Sequence, residues 1–202
     1  MDFKKILIFM GLMLFAGSIA SSAIITQCPP VGLDTGCGIL ITITGASGGA
    51  TTAFTVIAAS SPTQPPYDGI EDTLVGVLNS SSVTVDTLAL SSTTNLFGFD
   101  GDGPCTVSPN PGNCNALDPS GYGGPNVTFS GINSAGTAGT VNFTGGLPAG
   151  GARWFGLEES LTPSQILPGT PGTPGVPEPG SMALLGSGLA GLLLYTRRRI
   201  AT

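Results

Sequence analysis

The feature that most constrains the fold is a series of short segments rich in β-branched and other apolar residues, some of which alternate with polar residues. In residues 39–44, Ile39, Ile41 and Ile43 lie on one face of an extended chain. Other strand-like segments, bounded by glycine, serine and asparagine, lie at residues 53–57, 73–78, 82–86, 126–129, 140–144 and 153–158. Residues 24–160 contain no window with helical periodicity. Several short strands separated by turns predict an all-β domain, an antiparallel β-sandwich of the immunoglobulin-like or jelly-roll-like kind.

Turn residues between these segments predict three hairpins. They join residues 39–44 to 53–57, 73–78 to 82–86, and 126–129 to 140–144. Leu88 and Leu90 are out of phase with Val83 and Val85, which predicts a bulge or bend near Asp86.

The N-terminal segment has the composition of an export signal. Charged Lys4 and Lys5 precede an apolar run at residues 6–15, and small residues follow up to Ala23. We expect a secretory signal peptide over residues 1–23, with a signal helix, cut after Ala23. Cleavage after Ala20 and an uncleaved N-terminal anchor are the alternatives.

The C-terminal segment combines three elements. Val176, Pro177, Glu178 and Pro179 form a helix-breaking motif, since proline fixes φ and lacks a backbone donor. The sixteen residues from Gly180 to Tyr195 carry no charge and could form about 24 Å of helix, against about 30 Å of hydrocarbon. We expect a marginal transmembrane helix at about residues 181–196. The basic residues Arg197, Arg198 and Arg199 then form a cytoplasmic stop by the positive-inside rule.

These three elements in this order resemble the PEP-CTERM sorting signal of exported bacterial proteins. The resemblance covers VPEPGSMALLGSGLAGLLLYTRRR and implies processing by an exosortase, a membrane-embedded cysteine transpeptidase. It further implies an inner-membrane intermediate and a final place at the cell surface or outside the cell. Parts of residues 67–159 are also similar to exported bacterial proteins with the same tail, a similarity that implies no activity.

Four regions follow from these patterns. We expect a signal peptide at residues 1–23, a β-domain at 24–160, a Pro/Gly/Thr linker at 161–176 and the sorting signal at 177–202. The linker contains four prolines, which favour extended, semi-rigid chain.

Composition excludes several classes of function. The chain has no histidine, which rules out Ser-His-Asp and Cys-His hydrolases and histidine-ligated zinc or haem. Residues 24–176 hold ten acidic residues and a single base, Arg153, for a net charge of −9. Nucleic acid is therefore not expected as a partner.

The four cysteines fall into two pairs with identical spacing. Because export exposes thiols to oxidation, we expect Cys28–Cys37 and Cys105–Cys114 disulfides, each closing a ten-residue loop. A zinc site is the alternative, but the pairs lack CxxC spacing.

Two acidic stretches are compatible with a calcium site. Asp68 and Asp72 flank one glycine-containing loop and Asp100 and Asp102 another, and hard oxygen ligands suit Ca²⁺. An EF-hand is excluded because its twelfth position would be Pro111. Turn formation by these Asp-Gly pairs is the favoured interpretation, and calcium binding is the alternative. No other cofactor is expected.

The patterns together predict a non-catalytic surface or extracellular-matrix protein, associated with biofilm or exopolysaccharide. The alternative is a carbohydrate-binding module or a carboxylate-only glycosidase on the same sandwich, since glycoside hydrolysis needs only two carboxyl groups. Trp154 would then be a sugar-stacking residue, whereas we expect it to be a core residue.

Overall fold

The computed structural model describes residues 26–59, 64–107 and 114–170. Its strands are β1 Ile39–Ser47, β2 Ala50–Ala58, β3 Thr73–Asn79, β4 Val85–Ser91, β5 Val127–Ser130, β6 Ala138–Leu147, β7 Ala152–Leu157 and β8 Leu167–Pro168. One four-residue helix, α1 Pro104–Val107, and a 3-10 turn at Pro163–Gln165 accompany them. The expected signal helix and membrane helix lie outside the described residues. Within the described ranges, no helix is long and apolar enough to cross a membrane.

All eight strands belong to one sheet. Their order is β5-β6-β4-β2-β1-β3-β7, and β8 pairs with β4. A bridge between Gly123, which precedes β5, and Phe155 of β7 brings the two ends of the sheet together. The sheet is therefore a nearly closed cylinder.

The all-β prediction is confirmed, but an antiparallel sandwich is not what the strands form. The sheet is mixed, because β1 pairs with β3 and β2 with β4 in parallel. The predicted hairpin of residues 73–78 and 82–86 is wrong, since β3 and β4 are separated by β1 and β2. Buried Asn79 directs this connection by donating Nδ2 hydrogen bonds to the carbonyls of Val83 and Leu147, 2.8 Å each.

The other two hairpins and the predicted bulge are present. β1 pairs with β2, and β5 with β6, both antiparallel. The β4–β6 register shifts between Val85 and Thr87, whose partners on β6 are Leu147 and Asn142. The extra residues of β6 include Gly145 and Gly146, whose φ of +78° and +77° glycine adopts without strain.

Side-chain alternation builds two apolar clusters on opposite faces of the sheet. Ile39, Ile41 and Ile43 enter the main core, whereas Leu40 joins a second cluster with Tyr67, Leu74 and both cysteines of the first disulfide. β7 divides in the same way, with Phe155 in the main core and Trp154 in the second cluster. The predicted burial of Trp154 is confirmed.

Both predicted disulfides are formed. The Cα atoms of Cys28 and Cys37 are 5.0 Å apart, and those of Cys105 and Cys114 are 5.9 Å apart. The first bridge ties the chain before β1 into the second cluster, and the second holds α1 to the chain that leads to β5.

The folded domain continues beyond residue 160 into the expected linker. Ile166 is buried in the main core, and β8 pairs with β4 through Leu167 and Pro168. The backbone N–H of Gly169 also donates to the carbonyl of Ala89 at 3.0 Å. The first part of the proline-containing segment is thus packed against the sheet.

Candidate functional site

Acidic side chains gather at one end of the β3–β7 pair. Thr73 pairs with Leu157, so Asp72 and Glu158 are the next residues outward in the antiparallel register and share a face. Both are buried, with exposed fractions of 0% and 6%. Asp100 and Asp102 reach the same place from the loop that precedes α1.

The Tyr122 hydroxyl lies at the centre of this cluster. Its oxygen is 2.7 Å from Asp102 Oδ1, 3.0 Å from Glu158 Oε2 and 3.4 Å from Asp100 Oδ1. Because a phenol carries one proton, it donates to one of these carboxylates at a time. The ring is fully buried and stacks on Phe99 with centroids 4.3 Å apart, which fixes the hydroxyl in position.

A second buried tyrosine, Tyr67, is hydrogen-bonded to Asp72. The Tyr67 hydroxyl donates to Asp72 Oδ2 at 2.5 Å. Asp72 Oδ1 is buried and has no hydrogen-bond partner in the described part of the chain. Both tyrosines fit because β7 has a glycine at position 156, where a Cβ would lie 3.0 Å from the Tyr67 hydroxyl and 3.1 Å from the Tyr122 ring.

The pKa values in the cluster are shifted by burial, by hydrogen bonds and by neighbouring negative charges. Burial raises the pKa of Asp72 to about 7, the Tyr67 hydrogen bond opposes this shift, and the charges of Glu158 and Asp102 add to it. Burial likewise raises the pKa of Glu158, whereas hydrogen bonding with Asp102 lowers the pKa of Asp100. Burial, followed by the hydrogen bond to Asp102, raises the pKa of Tyr122, which stays a neutral phenol.

The cluster has no basic partner from the domain. Arg153 is the single Lys or Arg between residues 26 and 170, and its Nη1 donates to the carbonyl of Ala152 at 2.9 Å. The negative charge is therefore not balanced by a side chain of the domain.

The structure brings together three of the four residues that the sequence assigned to calcium. Asp72, Asp100 and Asp102 belong to the cluster. Asp68 instead accepts from the backbone N–H groups of Ile70, Glu71 and Asp72, 3.1 Å each, and so stabilises its own turn.

Sequence reasoning missed Glu71, Glu158 and Tyr122. Glu71, Asp100 and Glu158 each offer a carboxylate oxygen, and these oxygens lie within 4.8 Å of one another. Glu158 is the last residue of the predicted strand at residues 153–158, and the structure places it directly after β7. The available signal was its phase, because Trp154 and Glu158 lie on the same face of the extended chain.

A separate buried carboxylate lies beside a cavity of about 110 Å³. Asp34 is 2% exposed, and neither of its carboxylate oxygens has a partner among the described residues. Gly38, Thr73, Pro66 and Leu161 also line this cavity. Burial raises the pKa of Asp34 to about 7.

Comparison with known proteins identifies the C-terminal segment. No curated protein and no solved structure matches the chain. Residues 175–199 match the family model of the PEP-CTERM protein-sorting motif. The match includes Val176 to Pro179 and the three arginines Arg197, Arg198 and Arg199. The chain is therefore a PEP-CTERM motif-containing protein, of the kind that an exosortase sorts to the outside of the cell.

Proposed function

We propose that the chain is a non-catalytic surface or extracellular-matrix protein that an exosortase trims at its C-terminal motif. It passes through an inner-membrane intermediate and then reaches the cell surface or the medium, where it associates with biofilm or exopolysaccharide. The observation that carries this proposal is the sorting-motif match at residues 175–199.

Several properties of the domain support an extracellular location. Two disulfides cross-link it, and disulfides persist in oxidising compartments. Its net charge of −9 over residues 24–176 keeps the folded chain soluble. Trp154 is only 6% exposed, so it offers little surface on which a sugar could stack.

Intact mass tests this proposal. The protein should be recovered from membrane, periplasmic and extracellular fractions of its native host, together with a Glu178→Ala variant and a host that lacks its exosortase. We expect the wild-type chain outside the cell to lack residues 1–23 and the segment after Pro179. The variant and the exosortase-deficient host should retain the membrane-bound form with Arg197 to Arg199 attached.

Two results would contradict sorting by exosortase. One is a wild-type chain that stays in the membrane fraction with its arginines attached. The other is the same trimmed mass in the exosortase-deficient host. A matched Glu159→Ala variant, which removes one acidic residue outside the motif, should be processed like the wild type.

One observation favours a carboxylate-only glycosidase as the second candidate. Buried Glu158 has a raised pKa and suits a general acid, while Asp100 has a lowered pKa and suits a nucleophile. Their separation of at most 4.8 Å is close to the roughly 5 Å of retaining enzymes. Hydrolysis of chromogenic glycosides that Glu158→Gln and Asp100→Asn each abolish would support this candidate. Glycan-array binding without turnover would support a carbohydrate-binding module.

A further inference from the structure

We propose that the acidic cluster binds one Ca²⁺ ion, with Glu71, Asp100 and Glu158 as its carboxylate ligands. Asp102 and Asp72 supply further negative charge beside the ion. This site goes beyond the sorting role, and its test does not depend on that role.

The first argument is geometric. The three ligand oxygens lie within 4.8 Å of one another. Ca²⁺ binds oxygen at about 2.3 to 2.6 Å, so two ligands of one ion lie at most about 5 Å apart. The spacing of the three side-chain oxygens is therefore compatible with one ion shared by all of them.

The second argument is an unpaired buried oxygen. Asp72 is fully buried, lies one residue beyond the Thr73–Leu157 pair within reach of the charges of Glu158 and Asp102, and its Oδ1 has no hydrogen-bond partner within the described ranges. Buried charges in proteins are paired or coordinate metals, and the domain's one base, Arg153, donates to the carbonyl of Ala152 instead. A cation at the cluster would supply the missing positive charge.

The hydroxyl of Tyr122 leads to the same conclusion. Asp102, Glu158 and Asp100 all approach its oxygen, but its single proton serves one carboxylate at a time. The other carboxylate oxygens then face one another without a proton between them. A shared cation stabilises this arrangement, and without the cation the negative charges repel one another.

The ligand set selects the ion. All three proposed ligand atoms are carboxylate oxygens. The chain has no histidine and its four cysteines form disulfides, so it offers no ligands that suit a soft or nitrogen-preferring metal. Glu71 and Asp100 are exposed, which lets water complete an irregular shell. Ca²⁺ accepts such a shell, whereas Mg²⁺ demands a near-ideal octahedron.

Calorimetric titration of the full chain in detergent tests the site. CaCl₂ should bind one ion per chain with a dissociation constant of about 10⁻⁴ to 10⁻³ M, the range of extracellular calcium modules, and MgCl₂ should bind at least tenfold more weakly. Asp100→Asn and Glu158→Gln should each weaken calcium binding at least tenfold.

Asp86→Asn is the matched control. Asp86 is an exposed carboxylate beside Gly49, at the opposite end of the sheet, so its loss changes the net charge equally but not the site. Calcium affinity in this variant should stay within about twofold of the wild type. Equal weakening in all three variants would mean diffuse charge screening and would overturn the proposal.

Wild-type titration and the Asp100→Asn variant keep the test decisive if Glu158→Gln does not fold. No saturable binding to the wild-type chain up to 10⁻² M Ca²⁺, about tenfold above the weakest expected constant, would overturn the site. So would an unchanged affinity in folded Asp100→Asn, because its exposed carboxylate can be removed without opening the core.

Discussion

Asp34 is a buried carboxylate whose charge should make stability depend on pH. Burial raises the pKa of Asp34 to about 7, against about 3.9 in an unfolded chain. Between these values the folded state binds the proton and the unfolded state does not, so stability falls as pH rises from about 4 to about 7. Below pH 4 and above pH 7 this contribution is constant.

We expect Asp34→Asn to remove this contribution. In urea unfolding measured from pH 4 to pH 7.5, the wild type should lose about 2 to 4 kcal/mol more stability than the variant. The described residues that line the Asp34 cavity include no other titratable side chain, which makes the comparison specific. Parallel pH profiles of the two proteins would contradict this assignment.

At the scale of single elements, two glycines in and before β7 separate two costs of adding a side chain. One is steric overlap with neighbouring atoms, and the other is backbone strain at a positive φ. A Cβ at Gly156 would lie 2.7 Å from Pro104 Cδ and about 3 Å from both buried tyrosines. Gly150, in the turn before β7, has φ +74° but would meet no described atom within 4 Å. Urea unfolding should show a loss of about 1 kcal/mol for Gly150→Ala and about 2 to 3 kcal/mol for Gly156→Ala. Equal losses of unfolding free energy would contradict this expectation and would show that Tyr67 and Tyr122 move aside at little cost.

The two disulfides allow packing to be separated from chain entropy. Both close loops with a sequence separation of 9, worth about 2.7 kcal/mol each in the chain-entropy model. Cys28 and Cys37 are buried in the second cluster, whereas Cys105 and Cys114 are half-buried. Replacing Cys28 and Cys37 by alanine should therefore cost about 1 to 2 kcal/mol more than replacing the other pair. Thermal and urea unfolding of the two double variants measure the difference, and equal costs would contradict it.

At the scale of the whole molecule, the nearly closed sheet needs the segment that follows β7. Ile166 is 3% exposed in the main core, and β8 covers part of β4. A chain that stops after residue 170 should fold like the full chain. One that stops after residue 160 should lose about 2 to 4 kcal/mol, since it lacks Ile166 and its neighbours. Urea unfolding of both truncations checks this, and equal stabilities would show that the segment is dispensable.

The sequence by itself determined the local features of this protein. Short runs of β-branched, aromatic and other apolar residues between turn residues placed β1, β3 and β7, because these residue types favour extended chain whatever the partner strand is. The phase change at Leu88 located the irregularity near Asp86, and equal cysteine spacing indicated both disulfides. The sorting motif was also readable, because it is a contiguous segment whose proline, apolar and basic parts act in order.

Only the tertiary structure decided which strands are neighbours and which acids meet. The apolar run that makes β3 a strand is equally compatible with pairing to β4, but the fold places β3 between β1 and β7. That choice sets Asp72 opposite Glu158 and brings Tyr122 and the loop at Asp100 to them from elsewhere in the chain. Strand pairing and side-chain convergence depend on packing between residues far apart in sequence, which local periodicity does not encode.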